Sequence, residues 1–158
     1  MQPLALPPPV VAELEACLML FYTGTQRNAR VILKEQIMAI EHDEATLKRM
    51  QKLVELAYEM RDHLLAGRVE DFGLGLHRAW ELKRGLSAAI STPTMDQYYE
   101  RARAAGALGG KLTGAGGGGF LALYCPRSSR AKVQQAMEGL ESLEFRFDWG
   151  GARIAFAQ

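Results

Sequence analysis

Cysteine, histidine and tryptophan are scarce in this chain, and neither sign of charge is in excess. Two cysteines, Cys17 and Cys125, among 158 residues form neither a disulfide framework nor a metal cluster. Both lie in apolar runs, where a free thiol behaves as a small hydrophobe. The three histidines, His42, His63 and His77, have no metal-ligand spacing and read as surface or half-buried imidazoles. No stretch reaches the roughly 18 apolar residues of a transmembrane helix, and Met1 to Pro9 lacks the basic start of a secretory signal. Lys and Arg number 19 against 18 Asp and Glu, a net charge of +1. That balance argues against a general nucleic-acid binder and gives no electrostatic reason to sit on a membrane. These absences together predict a cytoplasmic protein with no metal and no disulfide.

The rest of the composition is ordinary for a globular fold, 48% hydrophobic and 23% charged, and the chain is long enough to bury a core. Residues 1–9 read as an extended lead-in, because proline lacks the amide that a regular helix or a central strand needs. Val10 to Glu15 suits a short helical turn. Cys17 to Tyr22 is a continuous apolar run ended by Thr23-Gly24, the pattern of a buried strand. Three helices follow. The first covers 26–40. The second starts after a capping Asp43 and carries a stripe of Leu47, Met50, Val54, Ala57, Met60 and Leu64. The third runs from Val69 to Leu86, weakened at Gly73 and Gly75. A fourth begins either at Thr92-Pro93 or at Thr94 and ends near Gly106. Then come strands at Gly110–Thr113 and Phe120–Cys125 and a helix opened by Pro126 and Ser128 or Ser129. An alternating strand at Leu143–Trp149 and a return strand at Ala152–Phe156 follow, joined at Gly150-Gly151. Strands and helices segregated in blocks predict an α+β fold, with antiparallel strands covered by helices on one face.

Three segments carry chemistry. Eight of the 16 glycines fall between Gly106 and Gly119. The run Thr113-Gly114-Ala115-Gly116-Gly117-Gly118-Gly119 lies between two strands. It is read either as a plain hairpin or packing point, or as a loop whose bare amides approach an anion. It lacks the Gly-Lys-Ser/Thr of a Walker loop. A strand and not a helix follows it, which excludes a dinucleotide fingerprint. Second, Thr23-Gly24 turns the chain from a strand into a helix whose first turn holds Arg27. Arg27 is either a solvated charge or an anion ligand at a helix N-terminus. Third, Lys83 falls on the apolar stripe of its helix. It either snorkels past its neighbours or stands at the rim of a polar cleft. Trp80 reads as core.

Taken together these segments resemble one family. Gly109-Gly110-Lys111-Leu112-Thr113-Gly114-Ala115-Gly116-Gly117-Gly118-Gly119-Phe120 looks like the third signature motif of the GHMP kinases, named for galactokinase, homoserine kinase, mevalonate kinase and phosphomevalonate kinase. Phe21-Tyr22-Thr23-Gly24 with Arg27, and Ala79-Trp80-Glu81-Leu82-Lys83 with Leu86-Ser87, resemble the C-terminal domain of the heptose 7-phosphate kinases, with fucokinase-like sugar kinases nearby. The resemblance implies a ferredoxin-like domain over residues 10–158, with an antiparallel sheet of about four strands. It implies an ATP-dependent sugar kinase that uses Mg²⁺, with a sugar or sugar phosphate as acceptor. It places Thr113 to Gly119 beside the nucleotide phosphates, and Thr23, Gly24, Arg27 and Lys83 at the substrate cleft. The family's Gly-Leu-Gly-Ser-Ser-Ala phosphate loop and its catalytic acid belong to an N-terminal domain, and no such loop occurs in this sequence. The expectation is therefore a C-terminal half, inactive alone, whose partner is the N-terminal kinase domain. A stand-alone ligand-binding or dimerisation module, or a non-catalytic subunit of a split kinase, are the other readings of the same fold.

Overall fold

The structure, a computed structural model, describes residues 4–24, 30, 33–34, 37–38, 43–114, 118–148 and 150. The first element begins earlier than the prolines suggest. Helix α1 spans Pro8–Cys17. Pro8 and Pro9 occupy its first turn, where amides are unpaired in any case and a fixed φ helps, so the lead-in ends at Pro7. Strand β1 follows at Leu18–Tyr22, with Cys17 closing the helix. Of the helix expected over 26–40, the described residues Arg30, Leu33, Lys34, Ile37 and Met38 are helical, and the remainder lies outside the described residues.

Helix α2, Glu44–Leu65, is capped as its sequence predicts. The Asp43 carboxylate accepts from the amides of Ala45 and Thr46 at 3.0 and 3.1 Å. Its buried side is Thr46, Leu56, Met60 and Leu64, with Met50 and Leu53 packed at the margin. Leu47 and Val54, expected inward, are exposed. The sequence is apolar on two sides here, so periodicity alone cannot tell which side the core takes. Helix α3 covers Val69–Arg84 and α4 covers Pro93–Ala104, where the Thr92 hydroxyl caps the Met95 amide. Strands β2, Gly109–Leu112, and β3, Phe120–Tyr124, form a hairpin. A 3₁₀ turn at Arg127–Ser129 leads into helix α5, Arg130–Ala136, and β4 is Glu141–Leu143.

The four strands form one antiparallel sheet in the order β2-β3-β1-β4. This is the ferredoxin-like arrangement. Met19, Phe21, Leu121, Leu123 and Leu112 are buried against Trp80, Ile90, Met95, Tyr99, Val133 and Met137. Their neighbours Leu20, Tyr22, Phe120 and Ala122 are only half-buried and Lys111 is exposed, so the second face of the sheet is partly open at the end that carries Tyr22 and Phe120. A second cluster joins Leu14, Cys17, Leu64 and Tyr124.

Two local expectations change. The alternation over Leu143–Trp149 predicts a strand there, but β4 pairs earlier, Glu141 with Tyr22 and Leu143 with Leu20. Pairing stops because the Arg130 guanidinium takes the Leu18 carbonyl at 3.0 Å, and the Phe147 amide bonds the Glu15 carboxylate at 2.8 Å instead of a strand. The return strand at 152–156 lies outside the described residues. Gly73 and Gly75, expected only to weaken α3, are where it packs closest. A Cβ on Gly73 would lie 2.4 Å from the Tyr124 ring, and one on Gly75 2.6 Å from Met60 Cγ. Opposite them, a Cβ on Gly109 would lie 2.2 Å from the Gly73 carbonyl oxygen. Glycine on both elements lets α3 lie against β2 almost backbone to backbone.

Candidate phosphate-facing site

The antiparallel register of β1 and β3 decides where the two turn motifs meet. Tyr22 pairs with Phe120, so Thr23 falls beside Gly119. The Thr23 amide donates to the Gly119 carbonyl at 2.9 Å, and the Thr23 hydroxyl donates to the same oxygen at 2.8 Å. Thr23 is buried, at 6% exposure, so the end of β1 fixes one root of the glycine loop. The other root closes through the Thr113 amide, which donates to the Phe120 carbonyl at 2.8 Å. Gly114 and Gly119 sit at φ 82° and 95°, in the left-handed region that strains any residue with a Cβ. Gly24 turns at φ 69° with nothing within 4 Å of the space a side chain would take.

Helix α3 supplies the cation. Because Gly73 fixes the start of α3 against β2, its last turn reaches the far end of the same strand. There the Lys83 ammonium donates to the Gly114 carbonyl at 3.0 Å. Burial, and then the nearby charge of Lys111, push the Lys83 pKa below the ordinary lysine value. Lys111 stands exposed on β2. Neighbouring Arg84 turns the other way and is neutralised by Asp96 at 2.9 Å and Glu81 at 2.8 Å. Neither Lys83 nor Lys111 has a carboxylate partner among the described residues. The result is a positively charged sheet end with glycine backbone at its centre, suited to an anion.

The structure thus brings Thr23, Gly24, Thr113, Gly114, Gly118, Gly119 and Lys83 to one end of the sheet. Arg27 and Ala115, Gly116 and Gly117 lie outside the described residues. Lys111 is the residue that sequence reasoning passed over. The signal for it was present, since alternation along Gly109–Leu112 turns only Lys111 outward. Trp80 is core, as expected. His77 points away from the loop and shares a 2.8 Å hydrogen bond with the Tyr99 hydroxyl. Next to the loop on the open sheet face, the rings of Tyr22 and Phe120 stand 5.2 Å apart. They line a shallow cavity of about 310 Å³ with Glu141 and Leu143. A cleft of about 410 Å³ near Leu18, away from the loop, balances Arg130 and Arg146 against Glu15 and Glu144, and offers an anion no net charge. Among the described residues no three His, Cys, Asp or Glu side chains are grouped to hold a metal.

Comparison with known proteins bears on this arrangement. Residues 60–140 match the family model described as GHMP kinases C terminal. The chain is 31% identical over 145 residues to the bifunctional fucokinase/GDP-fucose pyrophosphorylase of Arabidopsis thaliana, spanning 90% of this chain and 14% of that protein. It is 27% identical over 128 residues to the D-glycero-alpha-D-manno-heptose 7-phosphate kinase of Campylobacter jejuni, spanning 81% of this chain and 38% of that one. The chain therefore corresponds to well under half of each of these relatives. Among solved structures, L. major mevalonate kinase in complex with R-mevalonate superposes with a TM-score of 0.70 at 20% identity, over 77% of this chain and 37% of the other. A D-glycero-D-manno-heptose 1-phosphate kinase from Bacteroides thetaiotaomicron superposes with a TM-score of 0.60 at 24% identity, over 92% and 37%. At these identities the likeness is one of fold.

Proposed function

The chain belongs to the GHMP kinase C-terminal domain family, and from that premise we propose that it is the phosphate-facing half of an ATP-dependent sugar kinase whose acceptor is a sugar phosphate, heptose 7-phosphate being favoured. The single observation that carries the acceptor's charge is the pair Lys83 and Lys111 at the glycine loop, without a carboxylate between them. Two ammonium groups at one end of the sheet repel one another, a smaller cause of Lys83's lowered proton affinity than its burial. A phosphate dianion between them removes that cost, whereas a neutral sugar such as fucose leaves it in place.

ATP with Mg²⁺, when bound, supplies the phosphoryl group that is transferred. This chain's own part is positioning. The Thr23–Gly119 hydrogen bonds hold the loop's root, and Lys83 fixes Gly114. The glycine backbone presents amides to charged oxygens without side chains in the way. In this reading Arg27 adds a third cation, on the substrate side. The catalytic acid and the nucleotide loop come from an N-terminal kinase domain, so this chain alone turns nothing over.

The test is an ADP-release assay on a polypeptide that joins this chain to an N-terminal GHMP kinase domain, with heptose 7-phosphate, fucose and mevalonate as acceptors. Lys83→Ala is expected to raise KM for the sugar phosphate by about tenfold or more, since a charge-assisted contact is worth roughly 1.5–3 kcal/mol. KM for ATP should change less. An equal rise for a neutral sugar and a phosphorylated one would overturn the phosphate assignment, and turnover by the 158-residue chain alone would overturn the division of labour.

A further inference from the structure

Helix α2 carries two apolar stripes, and the core uses only one of them. The other is Leu47, Val54, Tyr58 and Leu65, which are 43%, 54%, 58% and 50% exposed. At about 100° per residue these four fall within roughly 20° of a single line along the helix, a stripe about 27 Å long. Surface leucines scattered singly need no explanation, but an aligned set of this length marks an interaction face. The spacing of the four is seven, four and seven residues, so the stripe reads the same from either end. Lying antiparallel across a second copy about a two-fold axis level with Leu56, it sets Leu47 on Leu65 of the partner subunit and Val54 on Tyr58 of the partner subunit.

We propose that this stripe is a self-association face, on which α2 of a second copy lies antiparallel to make a two-fold symmetric dimer. The flanking charges are complementary in this pairing. Lys48 lies on one flank of the stripe near its start and Asp62 on the same flank near its end. An antiparallel partner brings each Lys48 to the other copy's Asp62, and the symmetry makes the contact twice. A parallel two-fold partner sets this flank against the opposite one, which carries Met50, Ala57 and Arg61, so it makes no Lys48–Asp62 contact. In the single chain Asp62 is engaged by Arg61 at 2.7 Å and Lys48 by Glu44 at 2.6 Å, all four with largely exposed side chains, so both can exchange partners at small cost. Glu55, on the same flank beside the axis, meets its own copy.

Sedimentation of the 158-residue chain over a series reaching ~200 µM should show a reversible monomer–dimer equilibrium in the micromolar range. Val54→Glu should weaken it by about tenfold or more while leaving thermal unfolding of the monomer unchanged, since the side chain is already exposed. Glu55→Gln should tighten it. The geometry is read by disulfide trapping. Val54→Cys chains mixed with Tyr58→Cys chains should cross-link faster than either variant alone, and the native Cys17 and Cys125 are buried and do not interfere. A monomer throughout the series overturns the proposal. So does Val54→Cys cross-linking to itself as fast as in the mixture, which would indicate parallel pairing. So too does preferential cross-linking within one chain of an Ile37→Cys, Val54→Cys double variant, which would place the chain's own helix on the stripe.

Discussion

A single methyl group at Gly109 tests whether the candidate site depends on the close approach of α3 to β2. An alanine Cβ there would lie 2.2 Å from the Gly73 carbonyl oxygen and 2.5 Å from the His77 amide nitrogen. Both are main-chain atoms of α3, so no side chain can swing aside, and the helix must retreat by about 1 Å to reach ordinary contact. Overpacking of this kind costs about 1–3 kcal/mol, offset by roughly 0.5–1 kcal/mol from replacing a strand glycine. A net loss of about 1–2 kcal/mol lowers Tm by about 2–8 °C for a domain of this size. Gly75→Ala is the internal control. Its Cβ would meet Met60 Cγ at 2.6 Å and Sδ at 3.0 Å, atoms of a flexible side chain, and a helical glycine gains about 1 kcal/mol on becoming alanine. Its Tm should stay within about 2 °C of the native chain. Calorimetric melts of both variants decide the matter. If Gly109→Ala melts with or above the native chain, or if Gly75→Ala melts more than about 2 °C below it, the backbone contact does not govern the packing. Since α3 also carries Lys83, a retreating helix should lengthen the Lys83–Gly114 bond, and Gly109→Ala in the joined kinase should raise KM for the sugar phosphate without any change to a charged residue.

Thr23→Val removes the hydroxyl that donates to Gly119 but keeps the shape and the amide bond, so it should cost about 1 kcal/mol, read as a Tm loss of about 2–4 °C; an unchanged Tm would mean that the hydroxyl does not hold the loop root. The Arg127 guanidinium, and after it the Cys17 thiol, hold the Glu13 carboxyl below its ordinary pKa. Its folded pKa lies below its unfolded one, so the stabilisation is present above the unfolded carboxylate pKa and is lost as pH falls through the folded value. Glu13→Gln should therefore narrow the difference between Tm at neutral pH and Tm near about pH 3, and identical acid slopes in the two proteins would refute the link. Burial pushes the Cys125 thiol up to about 12 and raises Cys17 as well. Neither should react with a disulfide reagent at about pH 8 until the chain is denatured, and labelling of the folded protein would contradict the packing.

The signals legible in the sequence were those set by neighbouring residues. Asp43 announced a helix start because its side chain competes for local amides, and Thr92-Pro93 did the same for α4. The glycine loop stood out because so dense a run has no ordinary use. Lys83 drew notice because a charge interrupts an apolar stripe. What sequence missed depends on contacts made far along the chain. The length of β4 is decided by Arg130, which takes a carbonyl of β1 that a longer strand would need. The apolar residues of α2 satisfy two helical faces at once, so the choice between Leu53 and Val54 for the core falls to tertiary packing. Gly73, Gly75 and Gly109 looked like weak points, and only the fold pairs them. Lys111 gained meaning once α3 brought Lys83 beside it.

The register of the central strand also sets the order in which this chain can fold. β1 precedes both of its partners by about a hundred residues or more, Phe120–Tyr124 on one side and Glu141–Leu143 on the other. The Thr23–Gly119 bond closes a separation of 96 residues. Helices α2, α3 and α4 all emerge in the interval, and α2 and α3 can pack on one another before β3 arrives. During synthesis Leu18-Met19-Leu20-Phe21-Tyr22 is thus an apolar strand with two unpaired edges, at a rate of roughly 5–20 residues per second. Folding that waits on so distant a pairing is slow relative to helix formation. The interval before β3 arrives is when the chain is most open to strand-to-strand aggregation. Slower translation between α4 and β3 would lengthen that exposure, and a chaperone that holds extended apolar segments would find its target in β1 and not in the helices.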